Sequence, residues 1–247
     1  MEATRVVNAL LKIKQRRFGS IDRESNFLVQ AVGGAPGQVA LLADKDAVNR
    51  DPDSKTRQST QFAVLVMRDE DKAAARKYFA TPLLFSVHEA KGLEYENIVL
   101  YRFVSDHRAE FMDLTEGGSK TDLAHDTLDY KRATDKTDKS LEVYKFFVNA
   151  LYVAVTRAVK NLYIVESDVA NPLFGLLDLA LSGQEKIEAK QSTSEDWQRE
   201  ARKLELQGKQ EQAAAIRKSI LRPIVVARAQ ELCSVLCALV QRQFAAV

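Results

Sequence analysis

The sequence predicts an α/β fold: a mostly parallel, buried sheet carrying helices, followed by an extension made of helices alone. Three observations predict it. Phe62 to Met67 is a continuous apolar run of the kind shown by parallel strands buried on both faces. A helical connection, Asp69 to Phe79, and a further strand, Thr81 to Val87, follow at the spacing of a βαβ unit. After Ser167 no strand pattern recurs and only helical segments remain.

In chain order, Glu2 to Lys14 reads as an amphipathic helix with Val6, Val7, Ala9, Leu10 and Ile13 on one face. Its basic end (Lys12, Lys14, Arg16, Arg17) suits the helix dipole, and a nucleic-acid patch is the alternative. Asn26 to Val32 is a short apolar run closed by a turn at Gly33–Gly34 and Pro36–Gly37. Gln38 to Ala43 is the next strand. Asp44 to Gln61 is polar, read as helix plus loop broken at Pro52. Asp69 is the expected N-cap of the helix that follows the Phe62 strand. Ser105 to Ser140, rich in Asp, Lys, Thr and Gly, reads as an inserted, partly mobile surface segment.

Leu141 to Val159 is expected as one long helix with Leu151, Tyr152, Val155, Ala158 and Val159 on its buried face, and Leu162 to Val165 as a strand. The extension offers helices at Asn171 to Leu181, Ser194 to Leu206, Gln210 to Leu221 and Pro223 to Ala246. Gly208 divides the middle two into a helical hairpin. Val225 to Val247 is apolar enough to need a partner, within this protein or outside it. These readings set a division at 1–168 and 169–247.

The chain has 247 residues, 46% of them hydrophobic, enough for one sizeable core and a smaller appended unit. A net charge of +2 provides no overall field toward nucleic acid or membrane, so any such contact must come from local placement. Cys233 and Cys237 sit one helical turn apart with no further ligands, which reads as reduced core thiols rather than a metal site. No run reaches membrane-spanning length and no secretory core is present, so the expectation is a cytoplasmic protein without a membrane partner.

Two stretches carry chemistry. Phe85 to Tyr101 (FSVHEAKGLEYENIVLY) passes from a strand end through a polar loop into the next apolar run. Loops after buried parallel strands are where open α/β sheets hold ligands. Lys91 offers a point charge for phosphate, Gly92 a close backbone approach, and Glu94 a carboxylate for sugar hydroxyls. Asn149 to Val165 (NALYVAVTRAVKNLYIV) holds Arg157 between Thr156 and Ala158, where its planar fork can reach across an interface to phosphate. The plain alternative is a turn and a helix end whose charges face water. Gly117–Gly118–Ser119–Lys120–Thr121 is not a phosphate loop, because its spacing is wrong and no strand leads into it. His107 and His125 receive no role.

Together these stretches resemble the C-terminal motor half of superfamily 1 helicases of the UvrD/Rep/PcrA type. Ser86, His88, Lys91, Gly92 and Glu94 match that family's Thr-x-His-x-x-Lys-Gly-x-Glu motif, and Tyr152, Val153, Thr156 and Arg157 match its Tyr-Val-x-x-Thr-Arg motif, in the family's order. The likeness runs from the Gln38–Ala43 strand to Val165.

It implies a RecA-like three-layer sandwich over 1–168, with a polar insertion at 105–140 and a helical extension over 169–247. It implies ATP between this domain and a first RecA-like domain, which would carry the P-loop and hold most of the Mg2+. Arg157 would act on the transferring phosphoryl group, Glu94 on the ribose, and Lys91 on phosphate or the loop itself. Ser86 and His88 would face single-stranded DNA, with RNA as the alternative. Ser86 keeps the family's hydroxyl, and Glu89 adds an acid that opposes a phosphate backbone. No Gly-x-x-x-x-Gly-Lys-Ser/Thr occurs, and Asp69–Glu70 reads as a helix start rather than a metal pair. The expectation is therefore part of a larger or split motor, inactive alone. The rival is a non-catalytic interaction module whose helical tail binds protein. Trp197, Ala201, Leu204, Gly208, Ala213 and Ile216 faintly resemble one tetratricopeptide-type repeat, but a single copy reads as a helical cap.

Overall fold

A computed structural model describes residues 2–18, 28–31, 37–45, 52–116, 118–123, 140–183, 189–227, 229–230 and 232–234. The expectations for Asn26–Phe27, Val32 to Pro36, Gly117, His125 and Cys237 fall outside these described residues. The chain divides into two compact units, Met1–Lys190 and Gln191–Val247, a division beyond Asp168.

The first unit is built on five parallel strands in the order β1-β5-β4-β2-β3: β1 (Val39–Ala43), β2 (Phe62–Val66), β3 (Leu84–Ser86), β4 (Tyr95–Tyr101) and β5 (Ala158–Glu166). Every residue of β2 is buried, which is why its sequence is unbroken apolar. One sheet face, with Ala40, Phe62, Val64, Val99, Tyr101 and Tyr163, packs against Ala75 and Phe79. The helices α1 (Glu2–Phe18) and α5 (Ser140–Thr156) pack against each other and against β5. Val6, Val7, Leu10 and Ile13 of α1 are buried, as the helical spacing requires. The sheet and its helices make this unit the expected α/β sandwich.

Several boundaries differ from expectation. Pro52 to Thr56 is helical, α2 (52–56), and the residues before Pro52 lie outside the described ones. The connection after β2 shrinks to α3 (Lys72–Ala75), with Asp71 rather than Asp69 at its N-cap. Lys72 Nζ draws Asp69 away at 3.0 Å, while Asp71 Oδ2 accepts from Arg68 N at 2.9 Å.

The helix α5 stops at Thr156, and β5 begins at Ala158 because Ala158 pairs with Tyr95 of β4. Val159 is therefore on a strand and 66% exposed, not on a buried helix face. The start of the expected insertion is packed: α4 (Arg108–Thr115) buries Phe111 and Leu114, and Phe111 meets the ring of Phe147 edge-on at 5.8 Å. Lys120 is engaged by Asp178 at 2.7 Å, as a surface ion pair. A short α6 (Pro172–Leu176) belongs to this unit, with the Asn171 side chain capping Leu173 N.

The second unit is the expected hairpin of α7 (Ser194–Leu206) and α8 (Gln210–Ile216), continued by a π-helical turn, Arg217–Leu221. Thr193 and Asp196 form a capping box at its start. Bonds from Gly208 N to Glu205 O and from Lys209 N to Leu204 O close α7. Trp197, Ala201, Leu204, Ala213 and Ile216 fill its core. Val225, Val226 and Leu232 are exposed. Cys233 is also exposed, so it is not the core thiol expected.

Candidate functional site

The segment Val87–Glu94 runs between the two edges of the sheet. Ser86 pairs with Val66 at the carboxyl end of β2, whereas Glu94 leads into Tyr95 at the amino end of β4. Arg157 leads into Ala158, the partner of Tyr95, at the amino end of β5. The motif residues thus form two groups at opposite edges. The carboxyl edge holds Ser86 and His88; the amino edge holds Glu94 and Arg157. The general rule that ligands gather at carboxyl edges locates only half of this set.

At the amino edge, Leu93 and Tyr95 fasten both neighbours of Glu94 to Arg157. Arg157 Nη1 donates to Leu93 O at 3.2 Å, and Tyr95 N donates to Arg157 O at 3.1 Å. Leu93 is 1% exposed and anchors the loop, leaving the Glu94 side chain exposed beside the half-buried arginine. The guanidinium also donates to Val153 O at 3.2 Å and to Thr156 Oγ1 at 3.3 Å. Thr156 Oγ1 in turn donates to Val153 O, which explains a threonine before the arginine. Here the fork is braced against its own helix end and against the loop. Lys91 and Gly92 lie exposed on the turn before Leu93. Gly92 has φ +81°, with open space where a Cβ would be, so its role is a left-handed turn.

At the carboxyl edge, Ser86 is only 2% exposed. Its N–H donates to Glu89 Oε2 at 3.0 Å. Its hydroxyl is bonded to Asp69, and that bond, together with Lys72, holds the Asp69 carboxyl below its ordinary value. Lys72 Nζ reaches Glu89 at 2.5 Å. Burial works against the Lys72 ammonium, but its bonds to Glu89 and Asp69 outweigh that and raise its pKa. The acid at Glu89 is thus compensated by Lys72. His88 is exposed and is the matched residue open to an outside partner at this edge.

Sequence reasoning missed a polar group at the same carboxyl edge. Glu166 is fully buried at the end of β5 and accepts from Val104 N at 2.8 Å, Ser105 N at 2.8 Å and Ser105 Oγ at 2.5 Å. Burial pushes its carboxyl up to about 7, against the lowering effect of those three donors. Nearby, burial and the Asp44 carboxylate raise Tyr101. The His107 ring meets the Phe147 ring at a tilt, 5.1 Å between centroids, and lies 3.7 Å from Asp71. An acid ending an apolar strand was the one available signal.

Among the described residues no group of three or more His, Cys, Asp or Glu could hold a metal ion. Nor is any described helix long and apolar enough to cross a membrane. No protein-family model matches the chain, and no solved structure matches it.

Proposed function

We propose that the chain is the C-terminal motor half of an ATP-dependent DNA helicase or translocase, completed by a first RecA-like domain that carries the P-loop and magnesium. The observation that supports this most is the meeting of Glu94 and Arg157 at one strand edge, joined through Leu93 and Tyr95. The exposed Glu94 carboxylate accepts from ribose hydroxyls. The Arg157 fork, released from its carbonyl braces, turns to a phosphate presented from the facing domain and stabilises charge there. ATP supplies the phosphoryl group, and Lys91 supports the turn or adds a point charge.

His88, at the other edge, takes the backbone or a base of single-stranded DNA, with RNA as the alternative. Because Val87–Glu94 joins the two edges, a strand at His88 and a nucleotide at Glu94 act on one segment. The proposed setting is the cytoplasm.

In a motor reassembled with a P-loop domain, Arg157→Ala is expected to lower ATP turnover about 10³-fold or more, and Arg157→Lys to recover little. Phosphate release measures both. One observation favours a second reading, a non-catalytic module: all three observed Arg157 donor contacts are structural. On that reading Arg157→Ala lowers the melting temperature and leaves turnover and nucleotide-dependent docking unchanged.

A further inference from the structure

The amino edge carries a second feature that the motor reading does not use. An open recess of about 530 Å³ lies there, walled by Gln38, Gln61, Asn97, Asn161, Lys160 and Lys190. These residues precede or begin β1, β2, β4 and β5, apart from Lys190. The recess is wired across the strands. Asn161 Oδ1 accepts from Gln38 N at 3.1 Å, and Asn161 Nδ2 donates to Asn97 Oδ1 at 2.7 Å. Gln38 Nε2 donates to the Tyr163 hydroxyl at 3.3 Å, and Gln61 Nε2 to Glu96 at 3.3 Å.

These bonds hold each carboxamide in place while leaving one side of several unused. Asn97 Nδ2, Gln38 Oε1 and Gln61 Oε1 have no bonding partner among the described residues. These free donors and acceptors belong to residues that line the open recess, where a ligand can pair them. Lys160 and Lys190 add two exposed ammonium groups, and Glu96, which also lines the recess, accepts from Gln61.

The wall is therefore planar donors and acceptors with two lysines and one glutamate at the rim, in a volume suited to a small molecule. A carboxamide donor and acceptor together match the N7 and N6 edge of adenine. We infer that this recess binds a nucleoside monophosphate, adenine against the Asn97 and Gln38 amides and phosphate against Lys160 and Lys190. The inference does not rest on the motor reading.

The test titrates 5′-AMP into the full chain and follows the side-chain amide resonances of Asn97, Asn161 and Gln38 by NMR. A saturable shift with Kd below about 1 mM is expected, weakened about tenfold or more by Lys160→Glu and by Gln38→Leu. Lys160 is exposed, so its variant folds and keeps the test decisive. Ribose 5-phosphate and inorganic phosphate are expected to leave the amide resonances in place. Three results would overturn the inference: no saturable shift, a shift that both variants leave intact, or an equal response to inorganic phosphate alone. Arg157→Ala and Glu94→Gln are expected to leave recess binding unchanged. Loss of the signal in those variants would assign it to the motor site, sinking the recess and sparing the motor reading.

Discussion

At the residue scale, three side chains have roles set by surroundings that a sequence does not display. The sequence suggests a phosphate-seeking role for Arg157 but does not display its braces to Leu93 O and Val153 O, which join a helix end to a loop far away in the chain. Ser86 matched a motif, yet burial turns its hydroxyl inward to Asp69. Glu166 carries the clearest pH signature. Its folded carboxyl titrates near 7, above the ordinary value of 4.5, so the folded protein binds a proton in that window that the unfolded chain releases. Its stabilising contribution is complete below about pH 4.5 and disappears as pH rises through about 7. Urea unfolding at pH 5 and pH 8 is expected to show the loss, up to about 3 kcal/mol, and Glu166→Gln to flatten it. Parallel pH profiles for the two proteins would refute this account.

At the element scale, strand pairing corrected the helix and turn readings. The sequence pattern favoured a helix through Val159, but pairing of Ala158 with Tyr95 satisfies the backbone better and starts β5 early. Gly37 was legible as a turn glycine. Its actual constraint is a close approach: a Cβ there would sit 1.7 Å from Lys160 O, beside the β1–β5 pairing. Gly37→Ala is expected to lower stability by about 1–3 kcal/mol as β1 moves off β5. Gly175, exposed in α6 with nothing within 4 Å of a Cβ, is the matched control. Gly175→Ala should be neutral or more stable by up to about 1 kcal/mol. Equal urea midpoints for the two variants would count against the close-approach reading.

At the scale of the whole molecule, the sheet sorts one motif onto two edges, and on the proposed reading Arg157 needs an opposite wall from a facing domain. Phosphoryl transfer needs phosphate-cradling donors and a metal, and the sequence carries no Gly-x-x-x-x-Gly-Lys-Ser/Thr to cradle phosphate. The chain by itself is therefore expected to release phosphate from ATP only at the background rate, and to gain turnover with a P-loop domain. Turnover by the chain alone, lost in Arg157→Ala, would contradict the proposed division of labour.

The amino-acid sequence by itself determined the fold class, the burial of β2, the amphipathic face of α1 and the capped hairpin of α7 and α8. These depend on local periodicity and end chemistry, which act over a few neighbouring residues. Tertiary structure alone decided that the two neighbours of Glu94 bond to Arg157, that Ser86 turns inward, and that Gln38, Asn97 and Asn161 share one recess. Those outcomes follow from strand order and register, which bring together residues far apart in the chain and leave no trace in local spacing.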